Sequence, residues 1–125
     1  MNTAVIIKTN GSKMTGVFNA DNSYTVISDA VGGLIELVSL TKHDADMWIN
    51  ENGKYECEFQ NPIATALWAE MYGTTDVIMG DVIITGGSDA EGETLGLTNE
   101  QIKFFMEYDN NLVQLALPSN YKEWA

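Results

Sequence analysis

Arginine is absent from this 125-residue chain, and all six of its basic residues are lysines. A protein that binds duplex DNA or RNA needs a basic face to neutralise phosphates. With 18 acidic residues and a net charge of -12, this chain is the electrostatic opposite, which argues against direct nucleic-acid binding. One cysteine excludes an internal disulfide, and one histidine argues against a zinc site of the usual His- or Cys-rich kind. No apolar run approaches the roughly 18 residues that span a bilayer, so no membrane-crossing segment is expected. The apolar stretch Ala4 to Ile7 is closed by Lys8, with no charged leading region and no cleavage site, so it does not read as a signal peptide. A single free thiol, Cys57, suits a reducing compartment, and the expectation is a soluble protein of the cytoplasm.

What is present is enough to fold. Apolar residues make up 45% of the chain, and twelve aromatics can fill a core, which excludes a disordered chain. The length suits one domain, and residues 1–118 are expected to form it, with 119–125 as a C-terminal tail.

Turn chemistry divides the chain. Ala4 to Thr9 and Lys13 to Phe18 read as strands joined at Asn10-Gly11, a pair that tolerates the positive φ a tight hairpin demands. Tyr24 to Val31 is open to two readings. Its β-branched residues favour a strand, while Ser23 as a cap and Gly32-Gly33 as a terminus favour a short helix, towards which the segment leans. Gly32 and Gly33 are expected to be structural, through positive φ or close backbone approach. Leu34 to Leu40 reads as a strand and Thr41 to Asp46 as a polar loop. Met47 to Asn50 and Tyr55 to Phe59 suggest a second hairpin about Asn52-Gly53, with Tyr55, Cys57 and Phe59 alternating against Glu56 and Glu58. Asn61-Pro62 opens a helix that Gly73 ends, because Asn61 can accept from the first free amides and Pro62 suits the first helical position. Asp76 to Thr85 reads as a strand, with Gly80 marking a bulge or a close approach. A glycine-rich acidic loop covers 86–96. Thr98 and Gln101 then form a capping box for a helix whose core stripe is Ile102, Phe105 and Met106. Leu112 to Leu117 reads as a last strand, stopped by Pro118. Hairpins with helices inserted among them predict a small α+β domain with a mainly antiparallel sheet and two to three helices.

The blocks VGGLIELVSL (31–40), WINENGK (48–54), NPIATALW (61–68), DVIMGDVIITGG (76–87) and EGETLGLTNEQI (91–102) have an order and spacing of their own. Together, over roughly residues 24–106, they resemble a family from bacteriophages and mobile elements catalogued as domain of unknown function 3846. The resemblance rests mainly on Val-Gly-Gly-x-Ile-Glu, the Asn-Glu-x-Gly turn and Gly-Asp-Val-Ile-Ile-x-Gly. It implies a phage or mobile-element setting, and hence a host cytoplasm, and it carries no reaction.

The residues offer no catalytic constellation. His43 stands beside Asp44 and Asp46, a trio able to hold a divalent metal, but three neighbouring loop positions read more simply as solvated. Asp89, Glu91 and Glu93 alternate in the glycine-rich loop as oxygen donors of the calcium or magnesium type, yet the glycine is not where a calcium loop needs it. Gly86-Gly87-Ser88 could offer amides to a phosphate, but three carboxylates follow at once. Cys57 lies between two glutamates, which weakens a thiol as nucleophile. No metal, cofactor or catalytic residue is therefore assigned. Trp48 and Trp68 read as core residues. Tyr121 and Trp124, aromatics in a polar tail, are either tucked against the body or displayed to a partner, and aromatics anchor interfaces.

Charge is the remaining signal. Residues 1–62 carry four lysines and eight acids, and residues 63–125 carry two lysines and ten acids, so the second half holds a net -8. Excess negative charge keeps a protein dispersed, and it also suits docking on a basic surface. The leading expectation is a non-enzymatic phage accessory protein that binds and inhibits a host protein with a basic surface, through Asp89, Glu91, Glu93, Tyr121 and Trp124. Two alternatives stand beside it: a sponge for a small molecule or nucleotide signal, and a metal-dependent enzyme built on the acidic loop. Asn52, Gly53, Asn61 and Gly80 join Gly32 and Gly33 as structural positions.

Overall fold

The first two strands, β1 (Asn2–Ile7) and β2 (Lys13–Phe18), pair antiparallel from Asn2 opposite Phe18 to Ile7 opposite Lys13. Gly11 adopts φ 87° in the connecting turn, and the Asn10 side chain accepts from the Ser12 amide. Alternation along β1 sends Val5 and Ile7 to one side of the sheet and Ala4 to the other, and each side has its own buried cluster. These observations come from a computed structural model that describes residues 1–108. The expected strand Leu112 to Leu117, the tail after Pro118, and Tyr121 and Trp124 lie outside the described residues.

The ambiguous segment is a helix, α1 (Ser23–Val31), preceded by Asn22 as its cap. Ile27 and Val31 fall four residues apart and are both buried against Ala4, Phe18 and Ile83. The two glycines that follow differ in their reasons. Gly32 takes the left-handed conformation (φ 78°) and donates its amide to the Ser28 carbonyl, ending the helix. Gly33 has no positive φ, but a Cβ there would come within 3.0 Å of Asn50 Nδ2 and 3.1 Å of Glu56 Oε1.

β3 (Ile35–Leu40) and β4 (Ala45–Asn50) form the second hairpin, from Ile35 opposite Asn50 to Leu40 opposite Ala45. Their link is a 3-10 turn, Thr41–His43, followed by Asp44 at φ 51°. The expected loop 41–46 is therefore shorter, and Asp46 already belongs to the strand. β5 (Val82–Gly86) lies between β1 and β4, antiparallel to both, and every residue in it is buried. The sheet order is β2-β1-β5-β4-β3, and all its neighbours are antiparallel.

Two expectations are corrected here. Asn52-Gly53 is not a hairpin turn, and Tyr55 to Phe59 is not a strand. β4 already has β3 on one edge and β5 on the other, so it has no edge left for a third partner. Instead Asn52 precedes a single helical turn, α2 (Gly53–Glu56), and Tyr55 and Phe59 stand exposed. The strand expected over Asp76 to Thr85 is confined to its second half. Gly80, at φ 90°, turns the chain before β5, and the Cys57 thiol packs where its side chain would be.

α3 (Pro62–Tyr72) and α4 (Asn99–Met106) cover the opposite face of the sheet from α1. Asn61, fully buried, accepts from the Ala64 amide at 3.1 Å and so caps α3. Its amide also donates to the Ile7 carbonyl (2.9 Å) and the Gly80 carbonyl (3.0 Å), tying the helix to β1 and to the turn before β5. Thr98 and Gln101 form the capping box of α4, which buries Phe105. Among the described residues, a five-stranded antiparallel sheet with four α-helices makes this a small α+β domain.

Candidate functional site

Five of the six lysines lie among the described residues, and four of these are engaged by the protein itself. Lys8 pairs with Asp81 (3.4 Å) and Lys54 with Asp76. Lys13 donates to the Met106 and Tyr108 carbonyls, and Lys42 to the Glu70 carbonyl (2.7 Å). Lys103 is exposed. Self-pairing of the cations leaves exposed carboxylates, Glu36, Glu51, Glu58, Glu91, Glu93 and Glu100 among them, to set the surface potential.

The acidic loop after β5 is a small hairpin, closed by Ser88 bridging Thr94 and by the Asp89 amide donating to the Glu93 carbonyl. Asp89 is its internal strut, since Oδ1 accepts from the amides of Glu91 and Glu93, both at 2.9 Å. Of the three expected partner-binding carboxylates in this loop, Glu91 and Glu93 are exposed, and Asp89 is half-buried in the turn it builds. The three do not converge. Among the described residues, no group of three Asp, Glu, His or Cys side chains is placed to hold a metal ion. The Gly86 amide, one candidate phosphate donor, is already bonded to the Leu95 carbonyl.

His43 turns away from Asp44 and Asp46. Its Nε2 lies 2.7 Å from Glu70 on α3, and the Tyr108 hydroxyl donates to the other oxygen of that carboxylate at 2.8 Å. The imidazole stacks on Phe104 with ring centres 4.5 Å apart, and Gln101 donates to the carbonyls of His43 and Asp44. Burial, then the hydrogen bond to Glu70 and its charge, push the Tyr108 hydroxyl well above its ordinary range. The bonds of His43 and Tyr108 to Glu70 and of Gln101 to the 43–44 carbonyls lock the 3-10 turn and α4 onto α3.

Two cavities open at the end of the sheet that carries α2. The larger, about 350 Å³, lies between α1 and the 57–59 linker, with Lys8, Asp29, Cys57, Glu58, Phe59 and Asp81 among its lining. Its one ammonium is already paired with Asp81. Burial, then Glu56 and Asp81, push the Cys57 thiol up, which disfavours the reactive thiolate.

The smaller cavity, about 220 Å³, is built by four chain segments. β3 brings Glu36, opposite Ile49 of β4. The turn after β4 brings Glu51, Gly53 and Lys54, α3 brings Trp68, and the chain before β5 brings Asp76 and Ile78. Asn50 holds the turn in place: its side chain accepts from the Asn52 amide (2.8 Å) and donates to Glu56 (3.2 Å) and to the Val31 carbonyl (3.3 Å). Gly53 is pressed so closely on the Met79 carbonyl that a Cβ would lie 2.9 Å from it. Trp68 is half-buried and its indole donates to Thr75 (3.0 Å), so it is a wall of this cavity as well as a core residue.

Sequence reasoning did not assemble Glu36, Glu51, Lys54, Trp68 and Asp76 into a site. The signal was there in another form. Each belongs to one of the blocks 31–40, 48–54, 61–68 and 76–87, and these blocks meet at this cavity. Asn52 and Gly53 serve its turn, whereas Asn61 and Gly80 serve the joint between α3 and β5.

A family model described as Domain of unknown function (DUF3846) matches residues 1–110, so the match includes the first hairpin as well as the blocks from 31 onward. No curated protein and no solved structure matches the chain.

Proposed function

The chain belongs to the DUF3846 family, and we propose that it is a non-enzymatic binding protein that docks its acidic surface on a basic host protein and blocks that protein's work. The setting of this reading, a phage or mobile element acting in a host cytoplasm, comes from the family resemblance. The observation that carries the docking is the fate of the cations: four of the five described lysines satisfy the protein's own carboxylates and carbonyls. What faces outward is predominantly negative, and such a field speeds encounter with an opposite surface and selects for it. The chemistry of the reactive groups supports a non-enzymatic role. The Cys57 thiol is pushed up, and His43 spends Nε2 on Glu70.

Capture from host lysate on immobilised protein, washed at low and then at high salt, tests this reading. The expected result is a basic host protein held at low salt and released at high salt, whose activity falls when the chain is added back. A captured protein that is acidic, or whose retention ignores salt, overturns it.

A further inference from the structure

We infer that the smaller cavity is an anchor site for a lysine or arginine side chain presented by a basic protein, an inference that rests on the acidic-surface reading and gives it a centre. At about 220 Å³ the cavity is smaller than the range of about 300–1,000 Å³ typical of whole small-molecule ligands. One long side chain is a better match for it. The chemistry of its lining selects the kind. Glu36, Glu51 and Asp76 supply three carboxylates against the single ammonium of Lys54, which favours a cation. Ile49, Trp68 and Ile78 supply apolar wall for an alkyl stem, and an indole attracts a cation through its ring.

The protein already holds an example of the contact. Lys54 rests its ammonium on Asp76 at this cavity, and the two side chains are 55% and 42% exposed. Exposed pairs of this kind contribute little to stability, so an incoming cation can displace Lys54 at little cost. The cavity also has a rigid frame. Asn50 fixes the turn that carries Glu51 and Lys54, and Gly53 seats that turn on Met79. An anchor site requires this preorganisation, because ordering a flexible receptor would consume the binding free energy.

The test titrates an octalysine peptide at low salt, following the Trp68 indole N–H by NMR. Glu36→Gln with Glu51→Gln is compared with Glu91→Gln with Glu93→Gln, which removes the same charge from the distant hairpin. Both pairs are exposed, and thermal melts verify folding. The cavity pair is expected to weaken binding about tenfold, equivalent to about 1.4 kcal/mol, and the hairpin pair far less. Lys54→Met is expected to tighten binding more than Lys103→Met, which makes the same charge change outside the cavity. Equal effects of the two glutamate pairs, with an unmoved Trp68 signal, overturn the anchor site while leaving the acidic-surface reading intact. Absence of any salt-sensitive binding in the parent overturns both. Spermidine binding more tightly than the peptide, with the same response to the cavity pair, overturns the assignment to a protein side chain.

Discussion

Asp46 lies in β4, opposite Ser39 of β3 and Thr85 of β5. Burial first, and Asp44 second, hold its carboxyl above the ordinary value of 3.8. Folding therefore favours the protonated form. The contribution of Asp46 to stability is greatest below the ordinary aspartate range, falls as pH rises from that value through the raised one, and stays lower beyond it. Asp46→Asn removes the charge that folding opposes. It is expected to raise the melting temperature near pH 7, with the advantage shrinking to nothing near pH 3. Melts of both proteins at the two pH values check this, and equal melting at both contradicts it. At Asn61 the expectation has the opposite sign. Asn61→Ala loses the cap of α3 and leaves two buried carbonyls short of a donor, so a loss of about 3 kcal/mol is expected in denaturant unfolding. The capping role of Asn61 was legible, because a cap is a local device read three residues ahead. Its bonds to Ile7 and Gly80 span 54 and 19 residues and leave no trace in local pattern.

Elements were legible where one local rule governed them. The Asn10-Gly11 hairpin, the Asn61-Pro62 helix start and the Thr98–Gln101 capping box all depend on residues within a turn of one another. The second Asn-Gly obeyed a tertiary rule instead. Whether residues 55–59 can be a strand depends on whether β4 has a free edge, and β5, more than thirty residues later, had already taken it. The alternation of Tyr55, Cys57 and Phe59 was a pattern without a sheet to join. The cavity was illegible for a similar reason, since its residues are spread from Glu36 to Asp76 and meet only when β3, α3 and the chain before β5 are brought together. The acidic loop yields a prediction at this scale. Asp89 accepts from the amides of Glu91 and Glu93, so Asp89→Ala is expected to accelerate hydrogen exchange at those two amides. Asp89→Asn, which keeps an acceptor oxygen, is expected to preserve most of their protection. Unchanged exchange in the alanine variant would show that the backbone bonds alone hold the hairpin.

For the whole molecule, lysines engaged by the protein's own carboxylates and carbonyls, and a larger number of carboxylates at the surface, give the net charge of -12 its geometry. Solubility alone would be served by carboxylates anywhere on the surface. Docking adds the requirement that opposite charge on a partner be sensed at a distance. The rate at which the chain associates with its captured basic partner, followed from low salt to about 1 M, separates the two. The screening length shrinks from about 8 Å at physiological salt to about 3 Å at 1 M. Carboxylate-steered docking therefore predicts a rate that falls steeply across that range. It also predicts a slower rate for the Glu91→Gln, Glu93→Gln protein at low salt that converges on the parent at high salt, with Asp89 left in place because it builds the hairpin. A rate that is flat in salt and identical for the two proteins would contradict it.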